Sequence, residues 1–172
     1  MRPMSRGPQR LAHPSLLLAA AFMALLALAV GPVAHPAPAS ASTATTMEAE
    51  LVSWINSART SRGVPALRVG SKLTDMAGSR ATTLARTGVL VHPSCLACLY
   101  NNWAISWSAC GEAIAMTTYP WGYQAARSIF NGWKNSPGHW SLLMSRAYHR
   151  IGMGVAYRSS NHSSWASADL AG

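Results

Sequence analysis

The stretch "FNGWKNSPGHWSLLM", residues 130–144, decides how the chain is read. An apolar, helix-like run stops at Asn135-Ser136-Pro137-Gly138, a histidine follows at once, and an apolar run resumes. Ser136 is a good N-cap, and Pro137 suits the first helical position, where its missing N–H costs nothing. His139 therefore falls in the first turn of a new helix. Upstream, Trp121, Ala125, Ile129 and Trp133 share one side of a long helix opened by Pro120. A histidine in a first turn carries little meaning alone. Its meaning rests on what the rest of the chain brings to it.

The front of the chain is expected to come off. Met1–Arg10 carries three arginines and no acid, and Leu16–Val30, "LLLAAAFMALLALAV", is an apolar run of 15 residues ending before Pro32, Pro36 and Pro38. With the small-residue site Ala39-Ser40-Ala41, this reads as a secretory signal peptide over residues 1–41. An uncleaved anchor is the rival, but the run is shorter than the roughly 20 residues that span a bilayer. Residues 42–46 read as a flexible lead-in and 47–172 as one domain, with no stable membrane span once the leader is gone.

Past the leader there are 11 basic and five acidic residues, net +6, with no run of four positives. Such scattered charge suits weak attraction to anionic cell-surface polymers or lipid headgroups, whereas nucleic-acid recognition needs a clustered patch or a known module. Nucleic acid is not an expected partner. Cys95, Cys98 and Cys110 lie close together, and an exported chain with such spacing is expected to hold at least one disulfide. Closing Cys95 or Cys98 to Cys110 would tie a loop of a dozen or so residues, worth roughly 2–3 kcal/mol. One thiol is left over, and spacing does not say which.

A first helix is expected from the capping box Thr45-x-x-Glu48, with Met47, Leu51, Trp54, Ile55 and Ala58 on one face and a stop at Gly63. A second runs from Ser71 with Leu73, Ala77, Ala81 and Leu84 as its stripe, stopped by Gly88. Residues 89–110 show no clear period and read as an irregular excursion, followed by a short turn at "GEAIAM". Ile151, Met153, Val155 and Tyr157 alternate with small residues as a strand does, and "WASADL" reads as a closing strand. Helices first and an antiparallel hairpin last predict an α+β or layered α-β-α domain.

Two further places bear on His139. His92 stands in "GVLVHPS", and Glu112 in "CGEAIA" is a lone acid among apolar residues. A carboxylate in such a segment needs a partner, because burying it unpaired is expensive. The candidates are an imidazole or a metal.

Together these residues resemble the CAP superfamily of cysteine-rich secretory, antigen 5 and pathogenesis-related proteins, above all its short bacterial members. The matching pieces are "LVSWINSARTSRGVPALRVGSKLTDMAGSRATTLA", "HPS" at His92, "CGEAIA" at Glu112, "IFNGWKNSPGHWSLLM" at His139 and "YHRIGMGVAY" from Tyr148. The resemblance implies a three-layer α-β-α sandwich with a small antiparallel central sheet and an open cleft. It also implies that the family's tetrad of two His and two Glu maps in part onto His92, Glu112 and His139. The second Glu is missing: Trp133 is followed by Lys134-Asn135-Ser136.

The expected function is an exported binding module, secreted or held at the cell wall. Its ligand would be apolar, amphipathic or an envelope glycan, in a cleft lined by His92, Glu112, Ser136 and His139. Zinc or another divalent ion is the expected cofactor, with His92, Glu112 and His139 as ligands and an open fourth position. A zinc-dependent hydrolase is the sharp alternative, but a single acid cannot be both ligand and general base. The bland alternative is a buried His/Glu network that only holds the sheet together. A structural zinc on His92, Cys95, Cys98 and Cys110, and a serine hydrolase using Ser136 and His139, are weaker readings. No Gly-x-Ser-x-Gly elbow is present for the latter. Most of the tryptophans read as core; Trp103 and Trp107 would either anchor the 89–110 excursion or flank the cleft.

Overall fold

The computed structural model describes residues 39–172, so the proposed leader lies outside the described residues apart from Ala39–Ala41. Helix α1 (Ala39–Thr60) begins before the expected cap, and residues 42–46 are helical. Thr45 thus sits inside the helix, and Glu48 is not an N3 partner: its Oε1 accepts the N–H of Val155, 3.1 Å away. A two-residue strand β1 (Arg68–Val69) leads into α2 (Ser71–Thr87), which Gly88 ends in the left-handed conformation.

The 89–110 excursion holds a helix that periodicity missed, α3 (Leu96–Asn102). The expected turn at "GEAIAM" is instead strand β2 (Cys110–Thr117). Its small residues pack against both neighbouring layers, which hides the alternation of a half-exposed strand. Next come α4 (Tyr123–Asn135), α5 (Pro137–Leu143), β3 (Arg150–Arg158) and β4 (Ser163–Ala171). The last two strands form the expected hairpin. The sheet has four strands in the order β1-β3-β4-β2 and is mixed, because β1 runs parallel to β3.

Alternation along the strands sorts the side chains into two layers. Ile151, Met153 and Val155 of β3 and Ala166, Ala168 and Leu170 of β4 join α1 and α4 in the main core with Leu51, Ile55, Ile129 and Trp133. The opposite face is covered by α2, which lies so close that a Cβ on Gly152 or Gly154 would overlap its backbone at Leu73–Thr74 and Ala77–Gly78. Glycine is what permits that approach.

One of the scattered positives is not a surface charge. Arg59 is 1% exposed and donates to four carbonyls, Pro65 (2.8 Å), Leu143 (2.7 Å), Ser145 (3.0 Å) and Tyr148 (3.1 Å). It ties the end of α1 to the α5–β3 connection and so helps fix the position of α5. Trp103 packs in the small cluster around Tyr100, and Trp107 donates its indole N–H to Asn101, so both anchor the excursion. Among the described residues, no helix is long and apolar enough to cross a membrane.

Candidate functional site

Edge strand β2 carries Glu112 on the face covered by α2, directly opposite Asp169 of β4. The Glu112 side chain is fully buried, and both its oxygens are engaged. Arg80 Nε donates to Oε1 at 2.6 Å and Arg80 Nη2 to Oε2 at 3.3 Å, while His92 Nδ1 meets Oε2 at 2.7 Å. Arg80 reaches it because residue 80 stands seven after Leu73 and four after Met76, both buried on the inner side of α2. The same Nη2 donates to the carbonyl of Val91 at 2.9 Å. One guanidinium therefore fixes the carboxylate and the backbone next to His92.

A carboxylate held by arginine is ionised and can only accept, so His92 Nδ1 carries the proton that bridges them. When the His92 ring is neutral, that proton on Nδ1 leaves the lone pair on Nε2, on a side chain that is 55% exposed. His139 comes from the other side, in the first turn of α5. Ser136 is at the N-cap position, but its hydroxyl makes no cap bond and instead meets His139 Nδ1 at 3.0 Å. Burial lowers the His139 pKa, and the neighbouring His92 lowers it further, so at neutral pH the ring is uncharged.

His92, Glu112, Ser136 and His139 meet with Gly138 and Leu142 around one pocket of about 290 Å³. All four residues expected from sequence are thus brought together, but in unequal roles. With Arg80 and His92 on its oxygens, Glu112 stands behind His92 and not beside it. Among the described residues no three His, Cys, Asp or Glu side chains are grouped to hold an ion. The nitrogens left for a metal are the two imidazole Nε2 atoms. An imidazole whose other nitrogen donates to a carboxylate is the usual outer-sphere support of a metal-binding histidine, so His92 and His139 are the residues that could hold a divalent ion.

The cysteines settle differently from the expected long loop. Cys95 and Cys98 are joined, and Cys110 is free. The first turn of α3 brings residues three apart onto one side, with their Cα atoms 5.2 Å apart, while Cys110 packs inward beside Tyr100. Two of the four ligands of the structural zinc reading are therefore consumed by each other. A Ser136–His139 catalytic relay is also missing a part, since the acid of this pocket is bonded to the other histidine.

Two members of the site were not singled out in the sequence. Arg80 was legible as a charge within the apolar stripe of α2. Asp169, fully buried, was legible as the one acid in the closing strand. Its Oδ2 accepts from Ser167 at 2.9 Å and its Oδ1 has no partner. Burial, and next the Glu112 charge, push its pKa up to about 7.

The cysteine-rich secretory protein family, CAP, matches residues 52–168. The chain belongs to this family. No curated protein matches the chain. Among solved structures, an extracellular SCP-domain protein of Bacillus anthracis str. Ames aligns at TM-score 0.64 and 17% identity, over 74% of this chain and 41% of that one. An outer surface protein of Borrelia burgdorferi aligns at 0.64 and 18%, over 73% and 91%. A cysteine-rich secretory protein of Staphylococcus aureus subsp. aureus Mu50 aligns at 0.59 and 17%, over 74% and 38%. The CAP chain thus spans less than half the length of the first and third. At these identities the likeness is one of fold.

Proposed function

We propose that this CAP domain is an exported binding module whose cleft holds the polar end of an amphipathic or cell-envelope ligand, with a divalent ion, zinc first, on His92 and His139. The observation that carries the reading is the engagement of Glu112. A general base needs a free carboxylate within reach of water or substrate. Here Arg80 and His92 occupy it from both sides. What the pocket offers is fixed imidazoles beside the apolar edge of Leu142. Its volume of about 290 Å³ lies at the lower end of small-molecule sites. It suits a head group or a single sugar ring, with the remainder of the ligand outside.

Bound zinc would supply a charge for anionic or carbonyl groups of the ligand. Glu112 would hold the His92 ring in its orientation, and Ser136 that of His139. Export is supported by the leader reading and by structural neighbours described as extracellular and outer surface proteins. Zinc titration by calorimetry tests the site. One-to-one binding should be lost in His92→Ala and in His139→Ala, and weakened about 10–100-fold in Glu112→Gln, the usual effect of removing an outer-sphere partner. Binding that survives both histidine changes would place the metal elsewhere.

A further inference from the structure

The joined pair Cys95–Cys98 has features that a structural staple does not need. Both residues are exposed. Stabilisation by a cross-link grows with the length of chain it closes, and a separation of three residues is near the bottom of that scale. Helix α3 is also held without it. The Tyr100 hydroxyl donates to the carbonyls of Gly111 (3.0 Å) and Leu170 (2.8 Å), and Leu96 and Leu99 pack beside Tyr100 on the sheet. Opening the bond would leave those anchors in place.

The two sulfurs are not equivalent. Cys95 Sγ accepts the backbone N–H of Cys98 at 3.1 Å, a contact that strengthens when the sulfur becomes a thiolate. Cys95 is therefore the better leaving group, and Cys98 the sulfur open to attack. The third cysteine is no competitor. Cys110 is half-buried among apolar side chains, and burial raises its thiol pKa, which keeps it protonated and unreactive.

From this asymmetry we infer that Cys95–Cys98 is a thiol–disulfide exchange site for external dithiols, separate from the imidazole cleft. In the first step a substrate thiolate attacks Cys98 Sγ. The Cys95–Cys98 bond breaks, a mixed disulfide forms on Cys98, and Cys95 leaves as a thiolate that takes a proton from water. In the second step the other thiol of the substrate, deprotonated, displaces Cys98. The substrate departs as a disulfide, oxidised by two electrons, and the pair is left as two thiols. The site does not depend on the metal or ligand reading of the cleft.

The test uses the full chain and dithiothreitol, with each cysteine followed by alkylation and peptide mass spectrometry and the fold by circular dichroism. Cys95 and Cys98 should become labelled together at reductant levels that leave the spectrum unchanged, with Cys110 unlabelled. The same result is expected in Cys110→Ser. In acid-quenched reactions with glutathione, the mixed disulfide should sit on Cys98. A pair that opens only as the spectrum collapses would overturn the proposal. So would a Cys110 bridge to either partner, or an adduct on Cys95.

Discussion

Arg80 holds Glu112 through contacts of 2.6 and 3.3 Å, and with the same guanidinium it grips the carbonyl of Val91 one residue before His92. The cleft is organised from α2, through a residue that does not line the pocket. Arg80→Met should leave a buried, uncompensated carboxylate and destabilise the fold by about 3–5 kcal/mol. Arg80→Met combined with Glu112→Gln should recover much of that loss. Urea unfolding of the single and double variants measures the coupling.

Arg59 plays a comparable part without any acid. Its donors reach four carbonyls in the α1–α5–β3 corner, a fork that an ammonium cannot reproduce. Arg59→Lys should therefore cost nearly as much as Arg59→Met, on the order of 3 kcal/mol for several charge-assisted bonds lost together. Denaturant midpoints of the two variants test this, and a lysine variant close to wild type would contradict it.

Much of the fold was legible because helix stripes and the terminal hairpin follow simple periods. The stripe of α2 and the alternation of β3 are both found where the sequence placed them. β2 was hidden because Ala113 and Ile114 are buried on opposite faces, leaving no polar face to mark the alternation. α3 was hidden because seven residues are too few for a period to show. His92, Glu112, Ser136 and His139 were legible as a group only through resemblance. Their division of labour was not legible at all, because it depends on Arg80, 32 residues from Glu112 in the chain.

The approach of α2 to β3 makes a sharper test of the layering. Gly154→Ala would push a methyl into the backbone of Ala77 and Gly78, where no side chain can yield. A loss of about 2–3 kcal/mol is expected from such overpacking. Gly132→Ala, where nothing lies within 4 Å of the added Cβ, should be neutral or slightly stabilising through helix propensity. Thermal unfolding distinguishes the two.

Asp169 gives the fold a pH dependence. Its carboxyl, ordinarily near 3.8, titrates at about 7 in the folded chain because it is buried and faces Glu112. Between those values the folded state binds more protons than the unfolded one, so this contribution to stability falls as pH rises through the window. Asp169→Asn should remove the fall. The variant should match wild type near the acid end and exceed it by on the order of 2–4 kcal/mol above neutrality. Unfolding curves across the window show whether the slope belongs to Asp169.

The claim on which the cleft rests is that Glu112 positions His92 and leaves its outer nitrogen free. Imidazole nitrogen shifts and long-range proton–nitrogen couplings report the tautomer of His92 directly. At neutral pH and without metal, a proton on Nδ1 and a bare Nε2 are expected, with loss of that preference in Glu112→Gln. A proton on Nε2 in the wild-type chain, or a tautomer indifferent to Glu112, would contradict it.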